Sequence, residues 1–390
     1  MSRIDDDFIS RAATDEELLV IMPYEAWWRD RYDLLLSRGY QLRPRLRPGW
    51  VPSWTTNGKE IWSCEDSAYI MATKYNVVDA VKTSNGDQVL IKKIKTGSDE
   101  LRIGLYLSSS ELREDPRNHC VPILDYFEDE EDETISFMVM PLLRHFDNPK
   151  FGPVNELLDF GDQIFEGLCF MHAQGVAHRY RYENAPHIMA SHDLVFRDCA
   201  NLNIMMNAKS MYPDGFHPVH DTHDLSRSFF VPHYTRSERR PKYYFIDFGI
   251  SSYFPTDDDT LVVGLDGRDN EVPELSSTIP YNPYKTDIFI IGNLLKKEFV
   301  CKYSNVDFLI PLILVLTDKD PNKRPTAFEA QQLWKYVRDS VSVVNRYWRL
   351  REREDDGYIT TAVWDIVSFT RRTVRLSQWA PRLDDYLGGL

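Results

Sequence analysis

Cysteine is scarce: Cys64, Cys120, Cys169, Cys199 and Cys301 are five in number, odd, with no close pair. That excludes a disulfide framework and a Cys-x-x-Cys metal site, and it predicts a reducing, intracellular compartment, cytoplasmic or nuclear. Long apolar runs are lacking as well. The longest, Phe308 to Leu316, has nine residues with a proline inside, too short to span a bilayer. Positive charge is in deficit, because 46 Lys+Arg against 60 Asp+Glu leave a net charge of −14. Nucleic acid and acidic membrane faces both require a cationic footprint, so neither is expected as a partner. The opening residues MSRIDDDFIS are acidic where an export signal is basic and then apolar. No internal repeat or low-complexity tract is present. Core material is ample: 43% hydrophobic and 13% aromatic residues exclude wholesale disorder. A chain of 390 residues has room for two or three domains, or one large two-lobed one.

Residues 1–65 read as an extension that packs on the body. AWWRDRYDLLLSRGY predicts a short amphipathic helix, and RPRLRPGWVPSW an extended, proline-fixed strap. The strap buries its tryptophans against its neighbour; a recognition segment is the alternative. From residue 66 to 141 the signals are mostly strand. NVVDAVKTSNGDQVLIKKI sets β-branched runs around a Ser-Asn-Gly-Asp turn, a hairpin signature, and Ser98 is placed to cap the helix that follows. VPILDYFED and TISFMVMP predict two more strands, with the acidic run Glu128 to Glu133 as a solvated tip between them. Beyond residue 153 the period becomes helical. VNELLDFGDQIFEGLCFMHAQG carries Leu157, Ile164, Leu168 and Met171 on one face and stops at Gly175, and more helices are expected from 285 to 345. Residues 341–390 form a C-terminal extension. The stretch from about 208 to 240 has no strong period and is expected to be irregular and solvent-facing. His217, His220 and His223 there read as an exposed loop rather than a metal site. The basic run Arg236, Arg239, Arg240 and Lys242 reads as a solvated loop.

Seven short motifs carry the chemistry, each weak alone: VLIK (Lys92), Glu100, FRDCANLN (Asp198 and Asn203), DFG (Asp247), VPE (Glu274), DIFIIG (Asp287) and DPNKRPT (Arg324). Their order is that of the protein-kinase signature set. Over about residues 66–335 the chain resembles a eukaryotic protein kinase domain. Across most of its length it is similar to a kinase-like family of basidiomycete fungi, through LRPRLRPGWVPSW, NHCVP, VMPLLR, NIMMN and MYPDGFHP. The resemblance implies an α+β, two-lobed, protein-kinase-like fold, with a small β-rich lobe at 66–141 and a larger helical lobe at 142–340. It also implies ATP and Mg²⁺ as cofactors and transfer of the γ-phosphate to a protein hydroxyl, Ser/Thr-directed by default. The sequence names no particular protein substrate. A nucleotide-binding or inactive scaffold is the alternative.

Residue by residue, the resemblance assigns Lys92 to the α- and β-phosphates, with Glu100 as its ion-pair partner. Asp198 accepts or orients the substrate hydroxyl proton, and Asn203 and Asp247 are the magnesium ligands. Their oxygens are the hard donors that Mg²⁺ prefers. Met140 matches the gatekeeper, and the Pro141 carbonyl and Leu143 amide match the groups that bond the adenine edge. Glu274 with Arg324 matches the ion pair that anchors the activation segment, whereas a small-molecule kinase has no need of that peptide platform. Asp287 matches the carboxylate that braces the catalytic loop at His178 and Arg197.

Four features depart from the pattern. The three glycine positions of the phosphate loop fall on Ile70, Ala72 and Tyr75, whose side chains prevent close backbone approach to phosphate. The basic residue expected two after Asp198 is Ala200. Lys92 and Glu100 are only eight residues apart, which leaves the helix an abrupt start. Finally, GVAHRYRYEN has Tyr180 where the aspartate belongs, and FRD has Phe196 where the histidine belongs. Deleting residues 179–196 joins His178 to Arg197 and restores GVAHRDCANLNIMMN, so these eighteen residues read as an in-frame insertion, either a retained intron or a lineage-specific loop.

Overall fold

In the computed structural model, residues 15–70, 74–179, 203–255, 260–265 and 271–353 are described. They form a mixed α and β protein, and a five-stranded antiparallel sheet organises its first third. After a single helical turn (Asp15–Leu18) come helices α1 (Pro23–Asp30) and α2 (Tyr32–Ser37), followed by strand β1 (Tyr40–Leu42). Next come β2 (Val77–Lys82) and β3 (Gln88–Lys95), helix α3 (Asp99–Leu107), then β4 (Asp125–Glu128) and β5 (Ile135–Pro141). The sheet order is β1-β2-β3-β5-β4. The sequence reading carries the helical pattern through to Tyr40. The structure instead makes Tyr40 the start of a strand, and its register of Tyr40 with Lys82 and Leu42 with Ala80 adds an outer strand to the sheet.

The β2–β3 hairpin forms at the expected turn. Gly86 takes a left-handed φ of 78°, which a residue with a Cβ resists, and its amide bonds the Lys82 carbonyl at 2.8 Å. Period two then sorts the side chains of the central strands. Val89, Ile91, Phe137 and Val139 face a cluster built with Trp28, Leu35, Tyr40 and Leu42 from the N-terminal segment. Ile94, Met138 and Met140 face the opposite, larger core. Lys92 has the parity of Ile94, so it projects from that second face.

The larger core gathers around β6 (Arg144–His145), helix α4 (Val154–Ala173), β7 (Val176–Ala177), β8 (Ile204–Asn207), β9 (Lys242–Phe245) and β10 (Ser252–Tyr253), while β11 (Val262–Gly264) and β12 (Ser276–Tyr281) pair as a separate, largely exposed ladder. It is completed by α5 (Pro283–Leu295), α6 (Ile310–Leu316) and α7 (Ala327–Ser340). Helix α4 lies directly against α7: a Cβ on Gly161 would sit 2.0 Å from the Trp334 ring, so the small residue is what lets the indole in. Trp334 closes the contact by donating to Asp162 Oδ1 at 2.9 Å. Among the described residues no helix is long and apolar enough to cross a membrane.

Two expectations about solvated stretches are corrected. The acidic tip is not wholly solvated, because Asp129 is buried and receives Arg31 Nε from the end of α1 at 2.5 Å. The 208–240 stretch is irregular as expected, yet Met211, Tyr212, Phe216, His217, Val231 and Arg236 are all buried. Arg236, read as solvated, donates to the Phe146 and Lys150 carbonyls and lies over the Phe151 ring. Satisfied carbonyls and aromatic faces take the place of a regular element there, which is why no period betrays the packing.

Candidate functional site

Strand β3 delivers Lys92 into the boundary between the sheet and the helical core. Its ammonium is buried, 2.6 Å from Glu100 Oε1 and 2.9 Å from Asp247 Oδ1. Burial by itself would depress this amine. The Glu100 and Asp247 carboxylates more than reverse that and hold it above the ordinary lysine value. The eight-residue spacing suffices because the chain turns at once: Gly97 has a φ of 67°, and the Ser98 hydroxyl caps α3 by accepting the Leu101 amide. Glu100 thus occupies the first turn of α3.

Asp247 follows β9 in the left-handed region, with a φ of 63°. A non-glycine residue held there stores strain of order 1–3 kcal/mol, so its surroundings must fix it. They do so on both sides. The Ile246 amide donates to the Asn203 carbonyl at 2.9 Å, and the Ile246 carbonyl meets His178 Nε2 at 3.0 Å. Phe248 is buried against the His178 ring at 5.1 Å, and the Ser251 hydroxyl donates to the His178 carbonyl at 2.9 Å. Asn203 immediately precedes β8, and the register of Ile204 with Phe245 sets it opposite Ile246, beside Asp247. Asn203 is buried, and its amide nitrogen has no hydrogen-bond partner among the described residues.

Beneath this segment lies Asp287, wholly buried in the middle of α5. Its carboxylate accepts the His178 amide at 2.8 Å, the Arg179 amide at 2.8 Å and a contact from His172 Nε2 at 2.9 Å. Burial depresses the His178 imidazole below its ordinary value, and the Asp287 and Asp247 carboxylates only partly oppose it. Glu274 and Arg324 form a bidentate pair at 2.6 and 2.8 Å, and Arg324 also donates to the Asp318 and Lys285 carbonyls.

Lys92, Glu100, Asn203, Asp247, His178 and Asp287 therefore converge, and Glu274 meets Arg324 as the motifs imply. Asp198, Arg197 and Ala200 lie outside the described residues, as does nearly all of the 179–196 insertion. Arg179 is described, and its amide is the one that reaches Asp287. Because residues 179 and 197 are both arginine, an insertion of 180–197 leaves the same restored sequence as one of 179–196. Sequence reasoning did not single out Arg179. The duplicated arginine is the signal that could have found it.

Met140 lies opposite Leu90, Pro141 ends β5 opposite Val89, and the Leu142 amide donates to the Gln88 carbonyl at 3.2 Å. Met140 is buried and Leu143 packs on the larger core. These positions follow Met138, which pairs with Lys92, so they continue the strand beside the lysine. Of the glycine-loop positions, Ala72 lies outside the described residues. Ile70 is buried and its amide donates to Glu25 at 3.0 Å, while the Tyr75 carbonyl accepts the Trp28 indole at 3.1 Å. Both ends of this stretch are thus tied to α1.

As a test of magnesium, the residues present are an asparagine and an aspartate side by side, and the asparagine amide is unpinned. Mg²⁺ is ordinarily held by one or two protein oxygens together with phosphates and waters, so this pair fits. Among the described residues no cluster of three or more His, Cys, Asp or Glu side chains could hold a metal by itself. No protein-family model matches the chain, and no curated protein matches it.

Proposed function

We propose that this chain is an ATP- and Mg²⁺-dependent protein kinase, two-lobed in the protein-kinase manner, that transfers the γ-phosphate to a protein hydroxyl. The observation that carries the reading is the buried Lys92 ammonium held between Glu100 and Asp247, three residues from three separate motifs. Desolvated charges have a purpose at a site where polyanionic phosphates must be gripped while a hydroxyl attacks in line. Lys92 would bind the α- and β-phosphates, kept straight by Glu100. Asn203 and Asp247 would hold Mg²⁺, which when bound neutralises charge on the phosphate oxygens. Met140, Pro141 and Leu143 would flank the adenine. Asp198 would take or orient the hydroxyl proton, and Asp287 would fix the backbone at His178 and Arg179. Glu274 and Arg324 would anchor the segment on which a peptide lies.

A nucleotide-binding scaffold without turnover is the second reading, and one observation favours it. The stretch where a glycine-rich lid belongs is tied to α1 through Ile70 and Tyr75. Thermal shift with ATP, with and without magnesium, run beside a phosphotransfer assay on generic protein substrates, separates the two. A magnesium-dependent shift with transfer, both lost in Lys92→Met, is expected. Asp198→Asn should keep the shift and lose turnover by roughly 10²–10⁴-fold. A shift without transfer selects the scaffold. Neither shift nor transfer, also in a chain lacking residues 179–196, leaves no nucleotide role.

A further inference from the structure

Pro141, Leu142 and Leu143, the segment that the kinase reading sets against adenine, are gripped by a loop outside every motif. The segment runs between two polar side chains, Gln88 on β3 and Arg144 on β6. The Leu142 amide donates to the Gln88 carbonyl at 3.2 Å, and Arg144 directly follows Leu143. Both side chains are taken up by the 208–231 loop. Gln88 Nε2 donates to the Phe216 carbonyl at 3.0 Å. The Arg144 guanidinium lies 4.6 Å from the centre of the Tyr212 ring and 4.8 Å from that of Phe216, and its Nη1 donates to the Asp221 carbonyl at 2.5 Å.

This grip is tight on both sides. Arg144, Tyr212 and Phe216 are all buried. Arg144 also donates from Nε to the Asn148 carbonyl and from Nη2 to Asn148 Oδ1, each at 2.9 Å, so all three guanidinium nitrogens are bonded. Burying a guanidinium is costly unless its donors are met, and the two ring faces add attraction for the cation. The backbone of Arg144 is fixed as well, through its pairing with Met206 in β8. On the other side, the loop reaches Gln88 by way of Gly215. That residue has a φ of 75°, and a Cβ there would sit 3.1 Å from Gln88 Oε1, closer than ordinary van der Waals contact.

We infer that Gln88 and Arg144 are positioning residues, which use the 208–231 loop to hold Pro141–Leu143 ready for the nucleotide base; the inference rests on the kinase reading. A segment fixed before its ligand arrives gives up little conformational freedom on binding, so the loop raises affinity for the base. It does nothing for the phosphates, which fall to Lys92 and the Asn203–Asp247 pair on other elements. The loop therefore acts on one half of the ligand, and that asymmetry is what a measurement can read.

Gln88→Leu removes the amide donor at nearly constant volume, and Phe216→Ala removes one ring from Arg144, with Phe216→Tyr as the conservative control. Titration calorimetry of the full chain with adenosine, and separately with magnesium tripolyphosphate, reads the two halves of the ligand. Gln88→Leu and Phe216→Ala should each weaken adenosine roughly two- to tenfold, the worth of about one hydrogen bond, and leave tripolyphosphate unchanged. The KM for ATP should rise with kcat level, and Phe216→Tyr should behave as wild type. In the ligand-free protein, hydrogen exchange at the Leu142 amide should quicken in both variants, while the Ile246 amide, bonded to Asn203, stays level. The level Ile246 amide also shows that the variants are folded. Unchanged exchange at Leu142, unchanged adenosine affinity, or an equal loss for both ligands overturns the positioning role and leaves the kinase reading standing. A wild-type chain that binds tripolyphosphate but not adenosine does the same. If wild type binds neither, the nucleotide reading itself fails, and the role given to Gln88 and Arg144 goes with it.

Discussion

Glu25 in α1 and Asp287 in α5 are both wholly buried carboxylates, and both hold chain that is distant in sequence. Glu25 accepts the amides of Met22 and Ile70 at 3.1 and 3.0 Å, and Asp287 accepts those of His178 and Arg179 at 2.8 Å each. They differ in what answers the charge. Arg45 meets Glu25 at 2.9 and 3.0 Å, and both side chains of that pair are fully buried. Asp287 has no guanidinium or ammonium in contact among the described residues, only two amides and the His172 ring. The first is a closed ion pair, suited to fixing α1 against residue 70. The second leaves a carboxylate whose effect is carried by backbone dipoles and imidazoles, and those groups belong to the candidate site. A charge matched by a charge builds structure; a charge matched by dipoles places a loop.

The largest test removes Arg45. Arg45→Ala leaves Glu25 as an uncompensated buried charge, and losing one partner of such a pair costs about 3–5 kcal/mol. Urea unfolding should show that loss through a lower midpoint with little change in slope. Glu25→Leu combined with Arg45→Met should recover most of it, because the desolvation cost disappears with both charges. If the double variant is as unstable as the single one, the pair is not the closed unit described above.

Asp287→Asn comes next. Asparagine keeps one acceptor but turns a donor toward an amide, so one of the two amide bonds is lost and the other loses its charge. Hydrogen bonds to a charged group contribute about 1.5–3 kcal/mol, and the global loss should fall near the lower end. The telling readout is local: phosphotransfer should fall by a larger factor than the stability change accounts for, with ATP binding retained. An equal effect on binding would make Asp287 a part of the core and no more.

The two carboxylates also differ in how far the sequence announces them. Asp287 lies in DIFIIG, which takes its meaning from six other motifs in order, and the structure brings Lys92, Glu100, Asn203 and Asp247 together as that order implied. Glu25 lies in EAWWRD, where a local period marks a helix but cannot show which polar residue faces inward. Its burial is permitted by Arg45, twenty residues on, in a strap that reads as extended and basic. Asp129 is the same case, since an acidic run reads as solvated until Arg31 is seen beside it. The 208–240 stretch hid its packing for a related reason. Its cohesion rests on side-chain-to-carbonyl bonds such as those of Arg236, and these leave no period in the sequence. Fold at the level of strand pairing and helix caps was legible, as at Asn85–Gly86 and Ser98. Long-range charge cancellation was not.

The smallest effect separates the two centres by acid. His178 is held below its ordinary value by burial, so the unfolded or locally opened chain takes up a proton before the folded one does. Stability from the neutral ring is complete above the ordinary histidine value of about 6.5 and is lost as pH falls from there toward the folded value. At most one proton is involved, so opening should become up to about tenfold easier per pH unit inside that window. Glu25 is partnered by an arginine, which gives up no proton in this range. The four amides that the carboxylates accept provide the measurement. Hydrogen-exchange protection factors of His178 and Arg179, corrected for intrinsic pH dependence, should fall below pH 6.5 while those of Met22 and Ile70 stay level. A parallel fall at all four would mean that one cooperative unit spans both centres, and the distinction between the closed pair and the dipole-held carboxylate would have no consequence for stability.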